Sequence, residues 1–422
     1  MQSSSRETAK DLERKRRIQK DLRQAGFAAV VCALPSNVLL HSGYWPVVGA
    51  SIAIVICDGP TILLVPKDEE ELAQAGFADA IETFIPDKLN EAKTISDAIK
   101  PRLADLFRRQ KLRGEAVGVE CDESSEAASY LAIHLYGDNL PRMVADLFPK
   151  SRLVSINEWA ANAKCVKTPI EIDKIRQACG IAKNAFEIAS AKLHPGIREP
   201  EAAALFRGPL SDMETFPSSV QRCDGFAFCM SGPNSATACA AYARTRQRML
   251  EPADLVMIHC NSYVDGFWTD ITRTYTLASP TERQTRMRAA VLEARKSALA
   301  AIKPGVRAAD VDSAARQVLC DFGLGEYIKH GTGHGVGFTP MSAYGFPRLQ
   351  VDSPDVLQEG MVFNVEPAVY IEEHGGMRHC DMVAVTGSGH EVLTDFQSDP
   401  ASLAITKPEI VRDETARLAA GS

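Results

Sequence analysis

The run 361-MVFNVEPAVYI-371 predicts a strand, apolar except for Asn364 and one carboxylate, Glu366. A carboxylate inside a buried apolar segment is costly unless a cation, a proton or hydrogen-bond donors compensate it. Any fold for this chain must therefore carry Glu366 to a place where such partners converge. Three other stretches offer them. The stretch 255-LVMIHCNSYVDGFWTDITRTYTL-277 predicts a strand, a turn at Asp265 and Gly266, and a returning strand, with Asp270 near the far end. In 330-HGTGHGVGF-338 glycines crowd around His330 and His334, as where backbone must approach something closely. Last, 375-GGMRHCDMVAVT-386 leads from glycines into an alternating strand, with Cys380 between a histidine and an aspartate. Asp270, His334, Glu366 and Cys380 are all ordinary ligands for a first-row metal if the fold brings them together.

The rest of the chain narrows the setting. Its 422 residues suit two domains. The first 155 or so alternate helix and strand, with strands expected at 27-FAAVVCAL-34, 51-SIAIVIC-57, 61-TILLVP-66 and 116-AVGVE-120, and a helix at 124-SSEAASYLAIHLY-136. A second unit begins with a helix whose first turn holds Pro169, and mixes helices and strands without a strict βαβ rhythm. The expectation is an α/β domain over residues 1–160, an α+β domain over 161–402, and a surface tail over 403–422. A net charge of −7 argues against a nucleic-acid partner, and no apolar run is long enough to span a bilayer. Eleven cysteines without regular spacing read as reduced thiols, hence a cytoplasmic location.

The motifs DITRT (270–274), GHGVGF (333–338) and GMVFNVEP (360–367), in that order, resemble the pita-bread enzymes: methionine aminopeptidase, aminopeptidase P, prolidase and creatinase. The resemblance covers nearly the whole chain, and implies a pita-bread catalytic domain preceded by a creatinase-type α/β amino-terminal domain, in a homodimer. It implies a hydrolase acting on a C–N bond in a small molecule or short peptide. The family's metallopeptidases hold two metals with two Asp, one His and two Glu. Position by position, Asp270, His334 and Glu366 are kept, while His259 stands for the first Asp and Cys380 for the last Glu. Cys239, after the SGPN turn, takes the place of the proton-shuttling His, and Met341 that of a substrate-contacting His.

Three readings follow. In the first, one divalent metal, zinc by its donors, sits among Asp270, His334, Glu366 and Cys380. In the second, creatinase-like and metal-free, His334 and Glu366 handle charge and protons, with His259 and Cys239 as proton carriers and Cys239 or Cys380 as possible nucleophiles. The two stand level, so a bound metal and none are equally open, and a conventional Xaa-Pro aminopeptidase or dipeptidase is the alternative to both. The third reading is a binding protein that reuses the cleft without catalysis. Arg348 is a candidate grip for an anionic or carbonyl group, and His330 and Trp45 are further candidates for substrate contact. Arg273 and Arg378 read as structural partners of carboxylates.

Overall fold

The computed structural model describes residues 11–47, 50–85, 94–110, 116–120, 139–149, 152–212, 220–239, 245–341 and 345–405. The helix expected at 124–136 and the tail after 405 lie outside the described residues.

Six strands form the amino-terminal sheet: β1 (Ala29–Cys32), β2 (Ile52–Ile56), β3 (Thr61–Pro66), β4 (Ala80–Phe84), β5 (Ala116–Val119) and β6 (Arg152–Ser155), in the order β4-β3-β2-β1-β5-β6. The β2–β3 pair is a hairpin turned at Asp58, Gly59 and Pro60, where Asp58 takes a φ of 55°. β1 to β3 are antiparallel neighbours, and β4, β5 and β6 join parallel to theirs. The inner strands are buried on both faces, each face covered by its own apolar cluster.

The helix Pro169–Ser190 opens the second domain. Thr168 and Glu171 cap each other's backbone reciprocally, and Pro169 fills the first turn, where its missing N–H is harmless. The Glu171 carboxylate also receives the buried Arg14 guanidinium at 2.7 and 2.6 Å, tying the first helix of the chain to this one.

Beyond it, β7 (Cys223–Ser231), β8 (Leu255–Val264), β9 (Phe267–Trp268) and β10 (Ile271–Thr276) form one sheet, ordered β10-β8-β7 with β9 on β8. Two short pairs and a three-stranded sheet complete the domain: β11 (Gly333–His334) with β12 (Arg348–Leu349), β14 (Ala368–Ile371) with β15 (Gly375–Arg378), and β13 (Val362–Val365)-β16 (Asp381–Val385)-β17 (His390–Val392). Single bridges stitch these pieces together, Thr272 to Cys380 and Gly335 to Phe363. Helices Pro169–Ser190 and Glu199–Arg207 pack outside the first sheet. Helices Glu282–Ala301 and Ala308–Asp321 cover β13 and β16. This is an α+β domain behind an α/β domain. No helix among the described residues is long and apolar enough to cross a membrane.

One expectation needs correction. The run 361–371 is not a single strand holding Glu366 but two strands in different sheets, with Glu366 and Pro367 at the break. Pro367 has no N–H to continue a ladder, and the Glu366 N–H turns to the Thr332 carbonyl at 2.7 Å.

Candidate active site

Local structure fixes each polar side chain before any pairing between them. On β8 alternate residues face opposite ways, so Cys260 is fully buried in the core while His259 lies opposite Thr272 of β10. Asp270 is the residue just before β10 and is 2% exposed. His334 sits on β11, its N–H held by the Asn364 side chain at 2.6 Å. Its neighbour Gly333 is required there, because a Cβ would run into the Asn364 carbonyl. Cys380 exchanges backbone hydrogen bonds with Thr272 at 3.0 and 3.3 Å, which turns its side chain toward Asp270.

These elements bring Asp270, His334 and Glu366 to the floor of one cavity of about 270 Å³. His334 Nε2 is 3.6 Å from Asp270 Oδ2 and 3.9 Å from Glu366 Oε1. Both distances exceed a hydrogen bond and leave room for an atom between the groups. Behind them the Cys380 thiol, fully buried, donates to the Asp270 carbonyl at 3.1 Å and lies 3.6 Å from Oδ1. Cys239, His259, His330, Met341 and Arg348 line the same cavity. Nine of the ten candidate residues thus gather at one place. Trp45 does not: it packs on Tyr263 and Trp268, under the Arg222 guanidinium and against Gly266, away from the cavity.

Arg378, read as structural, is also part of the cavity wall. Its guanidinium touches Thr272 Oγ1 at 3.1 Å, the Tyr370 hydroxyl at 3.4 Å and His259 Nδ1 at 3.1 Å, and lies 3.9 Å from Glu366. A guanidinium only donates, so His259 Nδ1 accepts and its proton is on Nε2. Tyr370 is joined to His330 Nε2 at 2.9 Å, linking three walls of the cavity. Nothing in the local sequence marks Arg378 as cavity-facing. Its position follows from the pairing of Ala368 with Arg378 across β14 and β15.

The electrostatics follow from this geometry. Burial alone would raise the Asp270 carboxyl, but the facing His259 and His334 hold it down at about 2. Burial opposes a charged His334, yet Asp270 and Glu366 outweigh it and raise the imidazole to about 9. His259 is lowered, by burial first, with Arg378 working against the attraction of Asp270. Burial, then the Asp270 and Glu366 charges, push the Cys380 thiol far up. A sealed thiol of that kind is a poor nucleophile, which removes the nucleophilic role considered for Cys380.

One divalent cation fits these residues. Among the described residues, donor atoms of Asp270, Glu366 and Cys380 lie within 4.8 Å of one another, and His334 Nε2 faces both carboxylates. Two oxygens, an imidazole and a thiolate form a four-donor set suited to zinc. A second cation on the His259 side does not fit. There the Nδ1 lone pair is taken by Arg378, whose fixed positive charge repels a cation.

Residues 173–387 match the model of metallopeptidase family M24. The Xaa-Pro dipeptidase of Pyrococcus furiosus is 30% identical over 395 residues, covering 92% of this chain and 99% of that protein. The Xaa-Pro dipeptidase of Pyrococcus horikoshii is 29% identical over 378 residues, covering 88% and 93%. Among solved structures, the prolidase from Pyrococcus horikoshii OT3 aligns with a TM-score of 0.70 at 27% identity, over 91% of this chain and 98% of that one.

Proposed function

The chain belongs to metallopeptidase family M24 and is a hydrolase, and on that premise we propose that it cleaves the acyl–nitrogen bond of small Xaa-Pro-type substrates with a single divalent cation. Relatives named Xaa-Pro dipeptidase align over nearly their full length, which supports Xaa-Pro cleavage, the alternative read from sequence, over the metal-free creatinase-like reading. The observation that carries it is the spacing of Asp270, His334 and Glu366 at 3.6–3.9 Å on the floor of a cavity, with the Cys380 thiol behind.

Asp270, His334, Glu366 and Cys380 would hold the cation, which when bound supplies Lewis-acid polarisation of the scissile carbonyl. Glu366 is the carboxylate placed to take a proton from the attacking water. Its second oxygen faces Arg378, which keeps it from rotating away. Arg348, on the strand paired to His334 and one-third exposed, is available to a substrate carboxylate although Asp355 also touches it at 3.3 Å. Met341 and Cys239 give the cavity a less polar wall suited to a proline ring. The same reading takes residues 1–160 and 161–402 as the two domains of a cytoplasmic homodimer.

Metal analysis of protein purified without added metal, with release of proline from a panel of Xaa-Pro compounds, tests the proposal. One cation per chain, lost in Glu366→Ala, and proline release are expected. Two cations per chain would overturn the single-cation reading. Ligand binding without any product would favour a binding role instead.

A further inference from the structure

We propose that the acyl half of the substrate carries no free ammonium, so that the preferred class is N-acylated amino acids of the acyl-proline kind. This rests on the C–N hydrolase reading above and names its substrate. Among the described residues, the carboxylates lining the cavity are Asp270 and Glu366, and both are assigned above to the cation. Asp270 lies 3.6 Å from both His259 and His334, and Glu366 lies 3.9 Å from both His334 and Arg378. Segments 240–244 and 342–344, which adjoin the wall in sequence, contain no acidic residue. Among the described residues, a substrate ammonium therefore finds no acid of its own.

What it finds instead is a donor. The wall at His259 ends in the Arg378 guanidinium, 8% exposed and fixed by Thr272 and Tyr370. The imidazole acceptor beside it, His259 Nδ1, is already used by that guanidinium. An ammonium brought there meets a like charge and leaves its own N–H groups unpaired, which is a strong means of rejection. A carbonyl or carboxylate meets donors and an opposite charge. Arg348 lines the same cavity, so a small molecule with acceptor groups at both ends is matched by an arginine for each. The reaction needs only water. The acyl carbon gains the hydroxyl, the nitrogen gains the hydrogen, and a carboxylic acid and a secondary amine leave.

Matched pairs that differ in the amine alone provide the test. Glycyl-proline is compared with acetyl-proline, and 4-aminobutanoyl-proline with butanoyl-proline, by kcat/KM for proline release. The amine-free member of each pair is expected to be favoured about tenfold or more, roughly the worth of one charged hydrogen-bond partner. Arg378→Met should erase most of that ratio, and Arg378→Lys should keep it. Preference for the free amine in the wild-type protein, or an unchanged ratio in Arg378→Met, would overturn the proposal. If no compound releases proline, hydrolysis of Xaa-Pro bonds is wrong, and calorimetric binding of the same pairs then decides. Tighter binding of the amine-free members upholds the preference, and equal or reversed binding ends it.

Discussion

Two clusters of buried charge lie back to back on one short piece of chain, and they are built on opposite plans. Along residues 378–381 the side chains alternate. Arg378 and Cys380 turn to the cavity, reaching His259 and Asp270, while His379 and Asp381 turn away from it. On the far side every oxygen of Asp381 is answered at close range. Arg273 donates at 2.7 Å and Thr394 at 2.8 Å, Arg295 reaches the second oxygen, and Asp381, Arg273 and Thr394 are sealed from solvent. On the cavity side the carboxylates and imidazoles stand 3.6–3.9 Å apart, too far to satisfy one another. Both clusters contain carboxylates, imidazole and guanidinium. Residue type does not separate structure from site here; spacing and access do.

The largest expected effects set the two clusters against each other. Glu366→Ala should lower kcat by about a thousandfold, the order of losing a positioned proton acceptor, with little change in the urea midpoint. Asp381→Ala should do the reverse. It leaves Arg273 and Arg295 without their buried anion, at a cost of roughly 3–5 kcal/mol, while the fraction that folds keeps turnover. Urea unfolding and single-turnover rates on both variants test the contrast. Equal destabilisation by the two changes, with equal loss of turnover, would erase the distinction between a site and a scaffold.

Protonation separates the clusters next, and with opposite signs. In the metal-free protein His334 is raised from 6.5 to about 9, Asp270 and Glu366 outweighing burial. Its charged form is favoured by the fold, so its stabilisation is complete below pH 6.5 and is lost as pH rises through about 9. His379 is lowered from 6.5 to about 4, by burial first and by Arg273 next, against the pull of Asp381. Here the unfolded chain takes the proton first, so stability is lost as pH falls from 6.5 through about 4. Imidazole resonances followed by NMR should show one histidine titrating near 9 and another near 4. Added zinc should displace the first alone. Movement of both on adding zinc would mean that the sealed cluster is not sealed.

Much of the cavity was legible because its residues sit in short local motifs with a mechanical reason. Gly333 is needed beside Asn364, Asp265 and Gly266 adopt positive φ at the hairpin turn, and Pro169 caps its helix. What could not be read depends on pairing between distant segments. The apolar run 361–371 shows no periodicity break, so its division between two sheets at Glu366 is visible only once β16 and β15 claim its halves. Arg378 read as any arginine that pairs with a carboxylate, and only the β14–β15 register makes it a cavity wall. The stack around Trp45 was equally invisible, since Arg222, Tyr263 and Trp268 come to it from far along the chain.

The smallest effect belongs to the tie between the cavity's own walls. The Tyr370 hydroxyl accepts from Arg378 at 3.4 Å and lies 2.9 Å from His330 Nε2. Tyr370→Phe removes both contacts and leaves the ring in its apolar cluster. Neither partner is left bare, because Arg378 keeps Thr272 and His259, and His330 Nδ1 keeps the Gly331 carbonyl at 2.7 Å. The cost to folding should be about 1 kcal/mol, that of an ordinary hydrogen bond. On the sealed side Thr394→Val should cost more, roughly 1–3 kcal/mol, since it strips a donor from a buried carboxylate. Turnover in Tyr370→Phe should fall less than tenfold, with KM rather than kcat moving if the hydroxyl only steadies Arg378 against the substrate. A hundredfold loss in kcat at unchanged stability would instead make Tyr370 a participant in proton transfer, and the open cluster would then extend through His330 to a second wall.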